Sequence, residues 1–170
     1  MGKYKPYPVY KDSGVAWLGG IPEHWQAKKL KHLVDVILSN VDKKSIEGQQ
    51  SVRLCNYTDV YYNETIQSDL EFMKATATPE QIVKFTLRAG DTLITKDSES
   101  PTDIAVPAHV PSDLQNVLCG YYLAVLRPKK GTRGKFIFRL FQSSYANSVF
   151  TVRANGLTRY GLGNDALNNV

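Results

Sequence analysis

The C-terminal third of this 170-residue sequence concentrates side chains that could bind an anion. Between residues 101 and 170, eight lysines and arginines face only three acids, and no acid lies between Asp113 and Asp165. Four tyrosines interleave with these cations, a mixture typical of nucleic-acid surfaces. The pattern therefore favours a nucleic-acid partner, with an ordinary solvated basic face as the alternative. The cations are Arg127, Lys129, Lys130, Arg133, Lys135, Arg139, Arg153 and Arg159, and the tyrosines are Tyr121, Tyr122, Tyr145 and Tyr160.

The charge of the whole chain points the same way. Lysine and arginine number 21 against 16 aspartates and glutamates, for a net charge of +5 and an isoelectric point near 9.1. A basic balance raises the expectation of an anionic partner without naming one. Residues 51–100 are slightly acidic, with eight acids against five basic residues. We therefore predict that the excess positive charge lies at the C-terminal end and is uncompensated there.

Little in the sequence could catalyse a reaction. A metal-dependent nuclease needs clustered carboxylates, which the basic third lacks, so Asp97 and Glu99 are interpreted as loop acids. The three histidines have no metal-ligand spacing, and the serines near residue 98 have no His-Asp partners close by. The glycines after Gly156 lack the third glycine of a dinucleotide-binding loop. The sequence thus predicts a module that binds rather than an enzyme.

Length and composition fit one globular domain. At 19.0 kDa, with 42% apolar and 22% charged residues and a mean hydropathy of -0.30, the chain can bury a single core. Cys55 and Cys119 are too few for a disulfide framework, which predicts a reduced, cytoplasmic protein. The start of the chain has no signal-peptide pattern, and no later segment approaches the roughly 18 apolar residues of a membrane span. We expect no membrane association.

Cap and turn signals divide the chain into strands and short helices. The sequence Thr78-Pro79-Glu80-Gln81 is a capping box that predicts a helix over residues 79–84. A buried strand is predicted at 92–95, with an exposed loop at 96–102. Further expectations are an extended arm at 1–14, a helical turn within 28–38, strands at 52–57, 104–107 and 117–126, and a polar excursion at 58–68. This order predicts an α+β domain around one sheet.

An amphipathic helix is predicted from Gly134 onward. Arg133 and Lys135 lie at its expected N-terminus, where a bound phosphate would meet unpaired N–H groups and cations together. A mobile Lys-Lys-Gly-Thr-Arg-Gly turn is the alternative. The predicted apolar stripe of the helix consists of Phe136, Ile137, Leu140 and Phe141.

A group of large apolar residues near the N-terminus carries a family resemblance. Trp17, Leu18, Ile21 and Trp25 surround two glycines and a proline, which predicts a compact turn whose aromatic rings dock on the domain.

The string YKDSGVAWLGGIPEHW at 10–25 resembles the N-terminus of specificity subunits of Type I restriction-modification enzymes. The strings GDTLITK at 90–96, GYYLAVLRP at 120–128 and ANGLTRY at 154–160, followed by NNV at 168–170, resemble the same family in the same order. The resemblance covers essentially the whole chain as one target recognition domain.

The resemblance implies a DNA-binding subunit without catalysis of its own. Each recognition domain of such a subunit binds one half of a split, asymmetric duplex site and is expected to contain a strongly bent mixed or antiparallel sheet flanked by short helices. Modification subunits of these enzymes methylate adenine with S-adenosylmethionine, and the restriction subunit uses ATP and Mg²⁺. No cofactor is expected in this chain, which also lacks the Asn/Asp-Pro-Pro-Tyr/Phe motif of an adenine methyltransferase.

One departure from the family concerns length. Family members continue into a long helix and a second recognition domain, and both are absent from this sequence. The helices expected to dock the modification subunits, and through them the restriction subunit, are therefore missing. We expect a single recognition domain over residues 1–170 that does not assemble the full enzyme alone.

Two sets of side chains are candidates for DNA contact. Cations near the predicted helix start are expected to hold phosphates, and polar side chains on two loops could reach base edges. A basic face that docks an acidic protein, and RNA binding, are the alternative functions. The phosphate candidates are Lys129, Lys130, Arg133 and Lys135. The base-reading candidates are Lys96, Ser98, Ser100, Thr102, Arg153, Thr158, Arg159 and Tyr160.

Overall fold

The computed structural model describes residues 5–15 and 18–170. The strands are β1 Tyr10–Asp12, β2 Gly20–Pro22, β3 Val34–Leu38, β4 Gln50–Cys55, β5 Met73–Ala77, β6 Thr92–Thr95, β7 Asp97–Ser98, β8 Pro107–His109, β9 Val117–Cys119, β10 Leu123–Pro128 and β11 Tyr160–Gly161. The helices are α1 Tyr57–Tyr62, α2 Pro79–Phe85, α3 Gly134–Phe141, α4 Ser144–Arg153 and α5 Asn164–Asn168, with a 3-10 turn at Leu30–His32.

A four-stranded antiparallel sheet in the order β3-β10-β6-β8 forms the centre of the domain. The sequence of β10 explains its central place, because four consecutive apolar residues from Leu123 to Leu126 are all buried. Side chains of a strand alternate between faces. Leu123 and Val125 accordingly pack in one apolar cluster, and Ala124 and Leu126 pack in another. The central sheet is therefore covered on both faces.

A three-stranded mixed sheet contributes to the first cluster. Its order is β5-β4-β9, with β4 antiparallel to β5 and parallel to β9. Val52 and Leu54 of β4 belong to the same buried cluster as Leu93 of β6 and Val125 of β10. Burial of these branched side chains holds the two sheets together, since the hydrophobic driving force is roughly proportional to the apolar area removed from water.

Short helices cover the other face of the central sheet. Ile137 and Phe141 of α3, Phe150 of α4 and Leu167 of α5 are buried with the second cluster. Phe141 and Phe150 stack with their ring centroids 4.9 Å apart. Part of the predicted stripe of α3 is wrong: Phe136 is 58% exposed, and Phe138 is buried instead. The inward-facing ring of Phe138 packs beside the ring of His109 in β8, at a centroid distance of 6.1 Å.

The predicted α+β class, with mixed strands and short helices, is confirmed. Its strands are distributed over four sheets rather than joined in one, the two smaller being the pairs β1-β2 and β7-β11. The capping box at the start of α2 is present, with Gln81 N–H donating to the Thr78 hydroxyl. The helix beginning at Gly134 and the strand over residues 92–95 are also present.

Several predicted elements differ from the structure. Residues 34–38 form strand β3 instead of continuing a helical turn, because all five pair with residues 124–128 of β10. Residues 104–106 precede β8 rather than belonging to it, and Gly120 to Tyr122 interrupt the strand predicted at 117–126. The polar excursion at 58–68 begins within helix α1.

The predicted N-terminal arm folds back on itself where the structure describes it. Tyr10–Asp12 pairs with Gly20–Pro22 as a small hairpin. Ile21 is buried as predicted for the apolar turn, whereas Trp25 is 50% exposed and contacts Tyr7 edge to face. Trp17 and the first four residues of the arm lie outside the described residues.

The predicted uncompensated charge is partly wrong. Arg127 and Lys129 are paired by carboxylates that lie far away in the sequence, Asp91 and Asp35 respectively. Folding brings those acids alongside β10 because β6 and β3 are its two neighbours. The positive charge that remains at the C-terminal end is therefore carried by fewer side chains than the sequence suggested.

No helix in the two described ranges is long and apolar enough to cross a bilayer.

Candidate nucleic-acid interface

The small sheet β7-β11 brings two predicted DNA-contacting loops together. Tyr160 lies opposite Ser98, and Gly161 lies opposite Asp97. Beyond the pair, Leu162 N–H donates to the carbonyl oxygen of Lys96 at 2.8 Å. The loop after β6 and the turn before β11, which are about 60 residues apart in the sequence, thus form one connected surface.

The turn before β11 is closed by backbone contacts. Asn155 and Gly161 exchange hydrogen bonds of 3.1 and 2.9 Å. Gly156 has a φ of +147°, and a Cβ at this position would overlap the carbonyl oxygen of Arg159. Glycine tolerates such a backbone where other residues do not. The exposed side chains of Leu157, Thr158 and Arg159 therefore project from a turn whose shape depends on this glycine.

Helix α1 forms the opposite side of the same region. Its first turn is fixed by the carboxylate of Asp59, which accepts a 2.7 Å hydrogen bond from the Asn56 N–H. Tyr57 and Tyr61 stack with ring centroids 5.4 Å apart. The Tyr61 hydroxyl donates to Asp103 at 2.8 Å, and this bond raises the pKa of Tyr61. The helix is thereby tied to the loop that follows β7.

Two more tyrosines lie immediately before β10. Gly120 allows the chain to approach β4 closely, since a Cβ there would lie only 2.7 Å from the carbonyl oxygen of Cys55. The next two rings each hold a cation on one face: Lys96 Nζ lies 4.7 Å from the centroid of Tyr121, and the Arg159 guanidinium lies 4.8 Å from that of Tyr122. Cation–π contacts of this kind orient a long side chain without using its hydrogen-bond donors.

Together these elements enclose a concavity of about 310 Å³. Aromatic rings, hydroxyls, carboxylates and one guanidinium line it, a mixture that can stack on planar groups and exchange hydrogen bonds in both directions. We call this surface the tyrosine concavity. Its lining residues are Tyr57, Thr58, Tyr61, Tyr62, Asp97, Ser98, Glu99, Ser100, Asp103 and Arg159.

The base-reading candidates on the loop after β6 differ in the burial of their side chains and in the contacts those side chains already make. Lys96 is largely buried and pairs with Asp97 at 2.5 Å. Ser98 is buried, and its hydroxyl accepts a hydrogen bond from the Ser100 N–H. The hydroxyls of Ser100 and Thr102 share a 2.8 Å hydrogen bond at the surface. Lys96 and Ser98 therefore shape the loop, while Ser100 and Thr102 present hydroxyls to solvent.

The base-reading candidates near the turn at Gly156 also differ in exposure and in their contacts. Thr158 and Arg159 are exposed beside the tyrosine concavity, and Tyr160 is half-buried in the second apolar cluster. Among the described residues, no hydrogen bond or ion pair joins Arg153 to this surface. Its guanidinium donates to the carbonyl oxygens of Ala166 and Asn169, which fixes α5 against the end of α4.

The phosphate candidates lie at the other end of β10. Tyr122 precedes this strand and Lys129 follows it, so seven steps of roughly 3.3 Å place these two residues about 23 Å apart. Lys129 Nζ donates to the carbonyl oxygen of Lys31 at 2.7 Å and pairs with Asp35 at 3.3 Å. Lys130, Arg133 and Lys135 are exposed and make no ion pair with the residues that the structure describes.

Sequence reasoning missed the tyrosines of α1. Tyr61 and Tyr62 fall in the segment predicted to be a polar excursion, and Tyr57 is the last residue of the strand predicted at 52–57. A signal was present, because asparagine followed three residues later by aspartate resembles a capping box. The helix is only six residues long, too short for hydrophobic periodicity to reveal it.

The described residues contain no group of three or more histidine, cysteine, aspartate or glutamate side chains that could hold a metal ion. The two cysteines are buried neighbours across β4 and β9. Burial raises the pKa of both thiols, so the protonated, weakly nucleophilic form prevails.

Comparisons with solved structures identify the fold. The chain resembles the HsdS subunit from Thermoanaerobacter tengcongensis with a TM-score of 0.58 and 17% sequence identity, over 95% of this chain and 35% of that one. It resembles a chain in a structure of complex assembly and conformational transition of the type I R-M system with a TM-score of 0.60 and 15% identity, over 88% of this chain and 34% of that one. The domain therefore has the fold of about one third of these chains.

No family model matches the sequence, and no curated protein matches it significantly.

Proposed function

We propose that this domain binds a specific sequence of duplex DNA, as the reader of one half-site in a type I restriction-modification system. The observation that carries the proposal is the convergence of two polar loops and α1 on the tyrosine concavity, with the free guanidinium of Arg159 at its edge. The fold shared with HsdS and the four sequence segments that resemble specificity subunits support it.

Duplex DNA fits the distribution of charge and aromatic groups. Sequence-specific proteins use cations to hold phosphates and a smaller set of polar side chains to contact base edges. Lys130, Arg133 and Lys135 supply exposed cations at one end of β10, and the tyrosine concavity supplies donors and acceptors at the other. The two ends would then provide affinity and sequence discrimination respectively.

The finer role follows from the family resemblance. The domain would recognise one half of a split site, and a second recognition domain would read the other. Modification subunits carrying S-adenosylmethionine would methylate the recognised DNA, and restriction subunits would use ATP and Mg²⁺ to cleave it when unmethylated. In this role the chain contributes recognition and no catalytic group.

Selection from a randomised duplex library tests the proposal. The purified 170-residue chain should enrich one short, asymmetric motif at moderate salt, and a duplex carrying that motif should bind at least tenfold more tightly than a scrambled duplex. The matched control is Arg139→Ala, which removes an exposed cation of α3 outside the tyrosine concavity and should enrich the same motif.

Competition separates the alternatives. Hairpin RNA and heparin should displace the selected duplex only at a large excess if the proposal is right. Equal competition by all three polyanions, together with a library that yields no motif, would overturn sequence-specific DNA binding. Preferential competition by RNA would instead favour the RNA-binding alternative.

A further inference from the structure

We propose that Arg159 and Glu99 set part of the DNA code of this domain, by reading a guanine and a cytosine in the major groove. The inference rests on the proposed function and adds the bases that the tyrosine concavity selects. The Arg159 guanidinium would donate to guanine O6 and N7, and the Glu99 carboxylate would accept from the cytosine N4 amino group.

Arg159 is held in place with its donors free. Its guanidinium lies over the Tyr122 ring and makes no hydrogen bond or ion pair with the described residues. The side chain is exposed and comes from the turn closed by the Asn155–Gly161 bridge. A stacked, planar guanidinium is a pre-organised fork, and guanine is the base that offers two adjacent acceptors to it in the major groove.

Glu99 differs from the other two acids that line the tyrosine concavity. Asp97 is paired with Lys96, and Asp103 accepts the hydrogen bond of Tyr61. Glu99 is exposed and has neither kind of partner among the described residues. A free carboxylate opposes phosphate binding, whereas an exposed amino group of cytosine is a favourable partner for it. Base recognition is therefore the role that suits this acid on a DNA-binding surface.

The two side chains are neighbours without being paired. Both line the tyrosine concavity, and both charges act on the hydroxyl of Tyr57, whose pKa is raised mainly by burial. No ion pair within 4.0 Å joins them, although their charges are opposite. Each side chain is therefore able to contact a base of its own.

Atomic substitution in the DNA tests the guanine contact. Once selection has defined the motif, its G·C positions can be replaced one at a time with 7-deazaguanine, which removes the N7 acceptor. One position should weaken binding of the unaltered protein by about 5- to 150-fold, the range of a good bidentate contact. Arg159→Ala should abolish that discrimination, while Arg133→Ala should weaken all duplexes alike and retain it.

A change of preference tests the cytosine contact. Glutamine can both donate and accept, which matches adenine N6 and N7. Glu99→Gln, an isosteric change of an exposed side chain, should therefore move the preferred base at one position from cytosine to adenine when selection is repeated. Glu71→Gln, at an exposed glutamate outside the tyrosine concavity, should leave the motif unchanged.

The outcomes distinguish this inference from the function on which it rests. A motif without a G·C pair, or an unchanged motif for Glu99→Gln, would overturn the inference and leave sequence-specific binding intact. A uniform loss of affinity for Arg159→Ala on every duplex would reassign that side chain to the phosphates. Failure of the unaltered protein to enrich any motif would overturn both.

Discussion

Arg127 and Asp91 form a two-bond ion pair beside the central sheet. Arg127 Nε donates to Asp91 Oδ1 at 3.0 Å, and Nη2 donates to Oδ2 at 2.8 Å. The Asp91 side chain is 1% exposed, and the same guanidinium also donates to the carbonyl oxygen of Thr86. The cation at 127 therefore stabilises the turn between α2 and β6 rather than contributing to an anion-binding surface.

Asp91→Asn is expected to destabilise the domain by about 3–5 kcal/mol, because it leaves a largely buried guanidinium without its counter-charge. Urea unfolding followed by circular dichroism measures the change. Asp69→Asn, at an exposed acid, serves as the control and should change the free energy of unfolding by less than about 0.5 kcal/mol. An equally small effect at Asp91 would contradict a structural role for the pair.

Stability should also depend on the protonation of His109. Burial lowers the pKa of this histidine below 6.5, helped by the positive charge of Lys135. The unfolded chain therefore binds a proton at a higher pH than the folded domain does. The stability linked to the neutral ring is complete above about pH 6.5 and is lost as the pH falls through the folded-state pKa.

Measurements of the free energy of unfolding at pH 7.5 and pH 5.5 test this dependence. His109→Gln should show a smaller loss between the two pH values than the unaltered protein. His32→Gln, which replaces an exposed histidine, should leave the difference unchanged. Identical pH profiles for the unaltered protein and His109→Gln would exclude the mechanism.

The turn that carries Arg159 should depend on Gly156. Gly156→Ala forces a side chain into a left-handed backbone and against the Arg159 carbonyl, at an expected cost of about 1–3 kcal/mol. DNA discrimination should fall with stability, because the turn presents Arg159. Gly163→Ala is the control, since its φ is negative and a Cβ there meets nothing within 4 Å. Similar melting temperatures for the two variants would refute the requirement for glycine at 156.

The phosphate candidates can be ranked by salt dependence. Lys130→Ala and Arg133→Ala should each reduce the slope of log K against log salt concentration by about 0.9 per lost contact. Lys129→Ala should reduce it less, because Asp35 and the Lys31 carbonyl already hold the ammonium group. Titrations between 50 and 200 mM salt (about the range over which such slopes are measured) provide the test, and equal slopes for all three variants would reject the ranking.

Local signals in the sequence predicted the elements whose causes are local. The start of α2 depends on Thr78 and Gln81, which are three residues apart, and β6 is a short apolar run between turn signals. Strand β3 was missed because its apolar spacing also suits a helix, and only its register with β10 decides between them. Pairing across the fold, as between Asp91 and Arg127, has no local signature.

In the candidate site, too, local sequence signals predicted some residues, while others depend on contacts between distant parts of the chain. Loop position and chemistry placed Arg159, Ser100 and Thr102 among the base-reading candidates. In the structure Arg159 and Ser100 line the tyrosine concavity, and Thr102 is hydrogen-bonded to Ser100. The short helix that completes this surface was missed, and Arg153 was included although it fixes α5. Identifying which cations are free required the positions of their carboxylate partners.

The length of strand β10 also sets the distance between the two proposed DNA-contacting regions. It separates Tyr122 from Lys129 by about 23 Å, which corresponds to about seven base-pair steps of B-form DNA. A duplex that met both ends of the strand would thus be held by its phosphates about two-thirds of a helical turn away from the bases being read. Lengthening β10 by two residues, together with its partner strands, would shift the footprint on one side without altering the recognised bases.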